Sequence, residues 1–115
     1  MNSVSKSDVD KVFGKILRNY RIQNDLTQEQ LSEKLGISLK YISRIENGNN
    51  GVKTQTLIKY MNILGINPVI LYKDFIDNSR ISQDIELYEK IAHLSSNEKL
   101  FMSSMADLLK TLRRR

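Results

Sequence analysis

The chain of 115 residues contains no cysteine, no tryptophan, one histidine and one proline. Without cysteine, disulfides, thiol catalysis and cysteine-ligated metal sites are excluded, and one histidine is too few for a histidine-based zinc site. No apolar stretch approaches the ~20 residues of a membrane-spanning helix, and the amino terminus lacks an apolar run of signal-peptide length. We therefore expect a soluble, cytoplasmic protein with no metal, no other cofactor and no membrane partner.

Signs of catalysis are missing as well. No nucleophile has an obvious general base, and there is no glycine-rich phosphate loop or cluster of metal ligands. The acidic pairs Asp8/Asp10 and Glu86/Glu89 fit helix starts or solvated faces. The single histidine, His93, lies beside a predicted turn and is interpreted as a surface residue. We therefore expect a protein that is not an enzyme.

The composition that is present favours a small basic domain. The formal net charge is +5 and the pI about 9.5, which suits a polyanionic partner. Hydrophobic residues make up 40% of the chain. That content is enough for the core of one domain, with or without a small appendage.

The stretch from Thr27 to Gly48 predicts two short helices joined by a tight turn. Thr27 and Gln30 have the spacing of a capping box at the start of the first helix. Gly36 ends that helix, because glycine accepts the positive φ of a helix carboxyl cap, and Ser38 caps the second. Apolar residues then give each helix an inward stripe: Leu31, Leu35, Ile42 and Ile45.

The second of these helices, Leu39 to Asn47, carries a face that does not point into the core. An α-helix fits the major groove of B-DNA, where long donor side chains reach base edges. The pattern predicts a helix-turn-helix motif with this segment as its recognition helix. The alternative is an ordinary αα-hairpin with a solvated polar face. The predicted base-reading residues are Leu39, Lys40, Tyr41, Ser43 and Arg44.

Residues from about Phe13 to Leu71 resemble the lambda-repressor-like DNA-binding domain of the Xre/Cro family. The matching residues are Gln28, Leu31, Ser32, Gly36, Ile37, Ile42, Ser43, Ile45, Glu46, Asn47, Gly48, Leu57, Leu64, Gly65 and Ile66. The resemblance implies an all-α fold with a five-helix domain that binds double-stranded DNA. It also implies an ion pair between Arg21 and Glu46 that ties the first helix to the end of the recognition helix.

Contacts to the DNA backbone are expected from a second set of residues. The loop after Gly48 is polar and leads to the amino terminus of a fourth helix, where free N–H groups bind phosphate well; a plain connecting loop is the alternative. The family uses the equivalent loop for backbone contacts, and it supports a phosphate role for Gln28, which could also brace a recognition side chain. The predicted phosphate set is Gln28, Thr27, Arg18, Asn49, Asn50, Lys53 and Thr54.

The other helices of the first domain are expected from their apolar spacing. A first helix starts around Ser7 and runs to about Gln23. The fourth helix, which Thr54 opens, ends at Gly65, and a fifth starts at Asn67-Pro68. Residues 73–79 are interpreted as a helix end and a linker. The inward residues of the fourth helix are predicted to be Leu57, Ile58, Met61 and Leu64.

Residues 80–115 predict a two-helix hairpin, with a capping box at Ser95 and Glu98. Two helices cannot bury both of their apolar stripes on each other and remain stable alone. They need a further surface, which is either the amino-terminal domain or a second copy of the chain, and we favour the second copy. We assign residues 1–76 to the DNA-binding domain and residues 77–115 to a dimerisation segment. The predicted dimer contacts are Ile85, Tyr88, Phe101, Met105, Leu108 and Leu112.

Two functions fit this organisation. The first is a sequence-specific transcriptional regulator, a repressor that binds a palindromic operator as a homodimer. The second is a DNA-binding antitoxin whose residues 80–115 hold a toxin as protein partner instead of a second copy.

Overall fold

The computed structural model describes residues 5–113. Over that range it is built of α-helices and one short 3-10 helix, which confirms the predicted all-α class. The chain divides into two compact units between Phe75 and Ile76. The helices are α1 (Lys6–Gln23), α2 (Gln28–Leu35), α3 (Leu39–Glu46), α4 (Thr54–Leu64), α5 (Pro68–Tyr72), the 3-10 helix Lys73–Phe75, α6 (Ser79–Ala92) and α7 (Ser96–Arg113).

The first unit is held together by one apolar core. Helix α1 packs against α3 and α4, and α2 packs against the same two helices. All five α-helices of this unit and the segment before α5 supply its buried side chains, and burial of this kind is the main favourable term in folding. The core residues are Phe13, Leu17, Leu31, Leu35, Ile42, Ile45, Leu57, Tyr60, Leu64, Ile66 and Leu71.

The predicted caps of the helix-turn-helix motif are confirmed. The Thr27 hydroxyl accepts from the Gln30 amide at 3.1 Å, and the Gln30 side chain accepts from the Thr27 amide at 2.9 Å. Gly36 takes the left-handed conformation, with φ of 68°. The Ser38 hydroxyl accepts from the Tyr41 amide at 3.1 Å. These local bonds fix where both helices start and where the turn between them lies.

Two predicted details of α1 and α4 are wrong. Helix α1 begins at Lys6, because Ser5 rather than Ser7 is its cap and accepts from the Asp8 amide. In α4, Ile58 is 48% exposed, whereas Tyr60 is completely buried. The face that α4 turns inward is centred on Leu57, Tyr60 and Leu64. Ile58 lies about 100° around the helix from Leu57 and so falls outside that face.

The segment after α5 is less of a linker than the sequence indicates. The 3-10 helix continues α5 and ends at Phe75, which packs against the core of the first unit. The Phe75 ring packs edge-to-face with the Phe13 ring, with the centroids 5.3 Å apart. The Tyr72 ring packs in the same way against the Phe13 ring, at 5.4 Å. Such edge-to-face pairs stabilise by ~0.5–1.5 kcal/mol beyond burial. The chain therefore leaves the first unit only after Phe75.

Gly14 lies against the backbone at the carboxyl end of α3. A Cβ atom at this position would overlap the main-chain carbonyl oxygen of Ile45 and lie 3.0 Å from that of Glu46. Main-chain atoms of a packed helix cannot turn aside as a flexible side chain can. Glycine is therefore required by the close approach of two helices, although it lowers helix propensity by ~1 kcal/mol relative to alanine.

Gly14→Ala is expected to lower the free energy of unfolding by about 1–3 kcal/mol, the usual effect of an overpacked contact. Urea denaturation followed by circular dichroism measures the change. Gly51→Ala is the matched control, since a Cβ there would meet only the flexible carboxylate of Asp10, at 3.2 Å. A Gly14→Ala variant as stable as the parent would show that α1 and α3 can move apart to admit a methyl group without lowering the free energy of unfolding.

The second unit consists of α6 and α7, which pack against each other. Asn78 caps α6 through its side chain. The capping box predicted at the start of α7 is confirmed: the Ser95 amide donates to Glu98 at 2.9 Å, and the Glu98 amide donates to the Ser95 hydroxyl at 3.2 Å. Neither helix has a buried residue in the part of the chain that the structure describes.

Candidate nucleic-acid interface

Helix α3 divides cleanly into an inner and an outer face. Ile42 and Ile45 are fully buried, and they anchor the helix on the core. Lys40 and Arg44 are exposed, and Leu39 is exposed beside them. Two long cationic side chains thus lie on the face of a short helix that the core leaves free. A helix placed this way can enter a major groove without disturbing its own packing.

The charge excess of the chain is concentrated in the first unit. Up to Phe75 there are eleven lysines and arginines against seven acidic residues, a net +4 of the total +5. One acid in this count, Glu46, is neutralised by Arg21 in a direct ion pair. The two cations of α3, Lys40 and Arg44, are exposed. The one acid on their helix, Glu46, is buried and paired with Arg21.

Arg21 and Glu46 form a two-pronged pair between α1 and the end of α3. The Arg21 Nε donates to one Glu46 oxygen at 2.7 Å, and Nη2 donates to the other at 2.9 Å. The side chains are only 11% and 2% exposed, so this is a nearly buried pair. The hydrogen bonds from Arg21 to Glu46 raise the arginine pKa, so the guanidinium stays charged.

The same network reaches two further parts of the motif. Arg21 Nη1 donates to the Leu26 carbonyl at 2.7 Å, just before α2. The Gln28 amide donates to Glu46 at 3.1 Å from the first residue of α2. Glu46 therefore joins α1, α2 and α3 at one point. For Gln28 to bind a phosphate through its amide nitrogen, as predicted, that group has to leave Glu46.

The side chain of Tyr41, a predicted base-reading residue, makes contacts within the domain. It is half-buried and packs against the core cluster. Its hydroxyl accepts a hydrogen bond from the Lys53 amide at 3.2 Å and lies 3.5 Å from the Gly51 carbonyl oxygen. The side chain is thus turned toward the loop that follows α3. A hydroxyl engaged in this way is not available to a base edge.

The loop between α3 and α4 is closed by hydrogen bonds at both of its ends. The Asn49 amide donates to the Arg44 carbonyl at 2.9 Å, and Gly48 takes a φ of 74°. Lys53 is the amino cap of α4 and makes no side-chain capping bond, so the first amides of α4 are not capped by a side chain. Lys53 and Thr54 are exposed, as is Asn49, while Asn50 is half-buried.

The remaining predicted contacts lie on other elements. Arg18 is exposed on α1, and Thr27 is exposed at the start of α2, with its hydroxyl in the capping box. Ser43 is half-buried on α3. The structure brings the α3 residues and the loop together directly. Arg18 belongs to a separate helix, and no hydrogen bond among the described residues links it to them.

Residues 17–71 match the family model described as Helix-turn-helix. The matched segment contains α2, the turn and α3, in agreement with the helix-turn-helix motif that the sequence predicts. The segment is similar to control protein C.SmaI of Serratia marcescens, with 37% identity over 51 residues, or 44% of this chain and 61% of that protein. The chain thus matches about three-fifths of that relative's length.

Two solved structures share the fold of this helix-turn-helix chain. One is a point mutant of the restriction-modification controller protein C.Esp1396I, with a TM-score of 0.51 and 23% identity over 56% of this chain and 87% of the other. The second is the clp gene regulator ClgR of Corynebacterium glutamicum, with a TM-score of 0.53 and 19% identity over 90% of this chain and 89% of the other. By their names, these relatives are regulators rather than enzymes.

Several contacts that support the helix-turn-helix motif escaped the sequence analysis. The Ser32 hydroxyl donates to the Ile37 carbonyl at 2.5 Å across the turn, and Lys59 of α4 donates to the Leu35 carbonyl at 3.3 Å at the end of α2. Tyr60 is buried, which raises its pKa well above the usual tyrosine range, and the Glu46 charge adds to that rise. Among the supporting residues that the sequence analysis missed, only Gly14 had a recognisable signal in the sequence, a glycine in the middle of an amphipathic helix.

In the part of the chain that the structure describes, none of the helices has the length and apolar character needed to cross a membrane. The same residues contain no cluster of three or more potential metal ligands.

Proposed function

We propose that the protein is a transcriptional repressor that binds a palindromic double-stranded DNA operator as a homodimer. The observation that carries this proposal is α3 itself. It belongs to a helix-turn-helix domain and exposes Lys40 and Arg44 on the face opposite its buried isoleucines. Repression follows if the operator overlaps a promoter, because bound protein then blocks polymerase.

Arg44 is the principal base-reading residue in this proposal. A guanidinium can donate two hydrogen bonds to O6 and N7 of guanine, which discriminates against a wrong base by ~1–3 kcal/mol. Lys40 reads a second guanine or takes a phosphate. Leu39 lies at the start of α3, is exposed, and suits a thymine methyl group. Ser43, half-buried beside them, contributes from the edge of this face.

The phosphate contacts are assigned to segments that follow and precede the recognition helix in the chain. After α3, the loop residues Asn49 and Asn50 lead to Lys53 and Thr54 at the uncapped start of α4. Before α3, Thr27 and Gln28 lie at the amino end of α2, with Arg18 on α1. These groups fix the register of the domain on the duplex but carry no sequence information.

The second unit supplies the dimer contact in this proposal. Helix α7 carries Phe101, Met105, Leu108 and Leu112 at helical spacing, and all four side chains are exposed. On α6, Tyr88 is exposed and Ile85 is half-buried. Two copies of this hairpin can bury both stripes in a four-helix bundle. Such a dimer presents two recognition helices to half-sites ~34 Å apart.

The names of two similar proteins support a proposal for the genes that the repressor controls. One carries the name of a control protein, and another is named a restriction-modification controller. We extend that role to this chain, so its operator lies in the DNA upstream of its own gene and of neighbouring restriction-modification genes. The antitoxin alternative rests on the same exposed apolar stripe of α7, which a toxin would cover instead of a second copy of the chain.

Arg44→Ala and Lys53→Ala are expected to weaken binding in different ways. Arg44→Ala should remove discrimination at one base pair, by ~1–3 kcal/mol. Lys53→Ala should weaken cognate and scrambled duplexes alike and reduce the salt slope by about one unit. Fluorescence anisotropy on the upstream DNA and on a scrambled duplex, from about 50 to 300 mM salt, measures both effects.

Lys90→Ala is the control for this pair, since it removes one positive charge from α6 and not from the proposed interface. It should leave both affinities close to those of the parent. If Arg44→Ala and Lys53→Ala behave identically on the two duplexes, the assignment of base reading to α3 is wrong.

A further inference from the structure

The Tyr41 hydroxyl connects two parts of the interface that the chain separates. Tyr41 lies in the first turn of α3, and its hydroxyl accepts the Lys53 amide proton at 3.2 Å. The Gly51 carbonyl oxygen, at 3.5 Å, can accept the hydroxyl proton in turn. One side chain of the recognition helix thus holds the residue that caps α4.

The opposite end of the same loop is held by the other end of the recognition helix. The amides of Asn49 and Asn50 donate to the Arg44 carbonyl at 2.9 and 3.4 Å. Tyr41 and Arg44 lie three positions apart, one helical turn. The start of the loop is therefore held to α3 by main-chain hydrogen bonds, and its end is held to α3 by a hydrogen bond to a tyrosine hydroxyl. Of these two attachments, only the second depends on side-chain identity.

We propose that Tyr41 is a positioning residue that holds residues 49–54 against the recognition helix, so that base reading and phosphate contact are made by one rigid unit. This inference rests on the proposed DNA-binding function. It replaces the base-reading role that the sequence suggested for Tyr41. Its consequence is that the hydroxyl controls affinity for DNA of any sequence, while base preference stays with Arg44 and its neighbours.

The burial of Tyr41 supports this role over direct contact with DNA. Its ring is half-buried and packs against the core cluster, whereas Lys40 and Arg44 are exposed. A ring held by the core gives its hydroxyl a fixed location. A bond to that hydroxyl therefore restrains the loop more than a bond to a mobile surface side chain would, because less freedom has to be lost.

Tyr41→Phe removes the hydroxyl and keeps the packed ring. Amide hydrogen exchange measured by NMR on the full chain should show faster exchange at Lys53, whose amide loses its acceptor. The Asn49 amide, which donates to the Arg44 carbonyl, should keep its rate. Tyr72→Phe is the matched control, because it removes a tyrosine hydroxyl from the same unit on α5 and should change neither rate.

The same variant is then tested on DNA. Tyr41→Phe should weaken binding to cognate and scrambled duplexes by the same factor, about threefold to tenfold, the range expected for one lost hydrogen bond. The ratio of the two affinities should not change. A merely stabilising tyrosine would leave both affinities of the folded variant unchanged.

Two results would overturn the inference. One is an unchanged exchange rate at Lys53, which would mean that the hydroxyl does not hold the loop. The other is a loss confined to the cognate duplex, which would make Tyr41 a base reader. Failure of the proposed function looks different: the parent protein would then bind neither duplex with preference, while the exchange rate at Lys53 would still report whether Tyr41 restrains the loop.

Discussion

Glu46→Ala is expected to lower the free energy of unfolding by about 3–5 kcal/mol, as removal of one partner from a buried ion pair does. The carboxylate receives both prongs of Arg21 and the amide of Gln28. Its removal leaves a guanidinium that is 11% exposed and is hydrogen-bonded to the Leu26 carbonyl. Since small domains are stable by only ~5–15 kcal/mol, this loss takes a large share of the total.

Urea denaturation of the parent and the variant measures this effect. Glu33→Ala is the control, because Glu33 is an exposed acid on α2, and its removal should change the free energy by less than about 0.5 kcal/mol. A double variant, Arg21→Met with Glu46→Leu, should recover much of the loss, since it leaves no uncompensated charge. A Glu46→Ala variant within ~1 kcal/mol of the parent would contradict the view that the pair is effectively buried.

Glu46→Ala should also affect DNA binding beyond its effect on folding. The network around Glu46 joins α1 and the start of α2 to the last residue of the recognition helix. Without this network, α3 is still held by its buried isoleucines, but it loses the hydrogen bonds that fix its orientation relative to α1 and α2. At temperatures where the variant is still folded, we therefore expect weaker cognate binding than the parent shows.

Leu108→Glu is expected to convert the proposed dimer into a monomer. Leu108 is 49% exposed on α7, so the carboxylate remains hydrated in the single chain and does not unfold it. Between two copies, the same charge would be buried without a partner, which is strongly unfavourable. Loss of the second recognition helix should weaken binding to a full palindromic site by ~10²–10⁴.

Sedimentation equilibrium measures the oligomeric state, and anisotropy on full-site and half-site duplexes measures the consequence. Thr111→Glu is the matched control, because it places the same charge on α7 beside the apolar stripe rather than within it. Binding of Leu108→Glu to a half-site should stay at the parent level. A variant that sediments as a dimer would place the interface elsewhere, and a parent that is monomeric until a toxin is added would favour the antitoxin function.

Helix existence and helix ends were largely predictable because they depend on neighbours in the chain. The Thr27–Gln30 box, the Gly36 stop and the Ser95–Glu98 box all involve groups three or four residues apart, or a single backbone angle. Such interactions are present in any fold that contains the helix. The same reasoning missed Ser5 as the start of α1, because two serines offered equivalent caps.

Parts of the candidate interface were predictable for a different reason. The outer position of Lys40 and Arg44 follows from helical spacing once Ile42 and Ile45 are assigned to the core. The pairing of Arg21 with Glu46 came from the family resemblance, since no local pattern links residues 25 positions apart. The bond between the Tyr41 hydroxyl and the Lys53 amide was not predicted, because a tyrosine at that helical position can turn either to solvent or to the loop.

The sequence by itself determined that this chain is all-helical, where most of its helices end, and that its core contains the leucines and isoleucines of a helix-turn-helix motif. Only the tertiary structure decided that Gly14 meets the α3 backbone, that Tyr60 rather than Ile58 turns inward, and that Phe75 closes on Phe13. Each of these depends on the rotation of one helix against another. That rotation is set by the packing of distant side chains, which no short stretch of sequence contains.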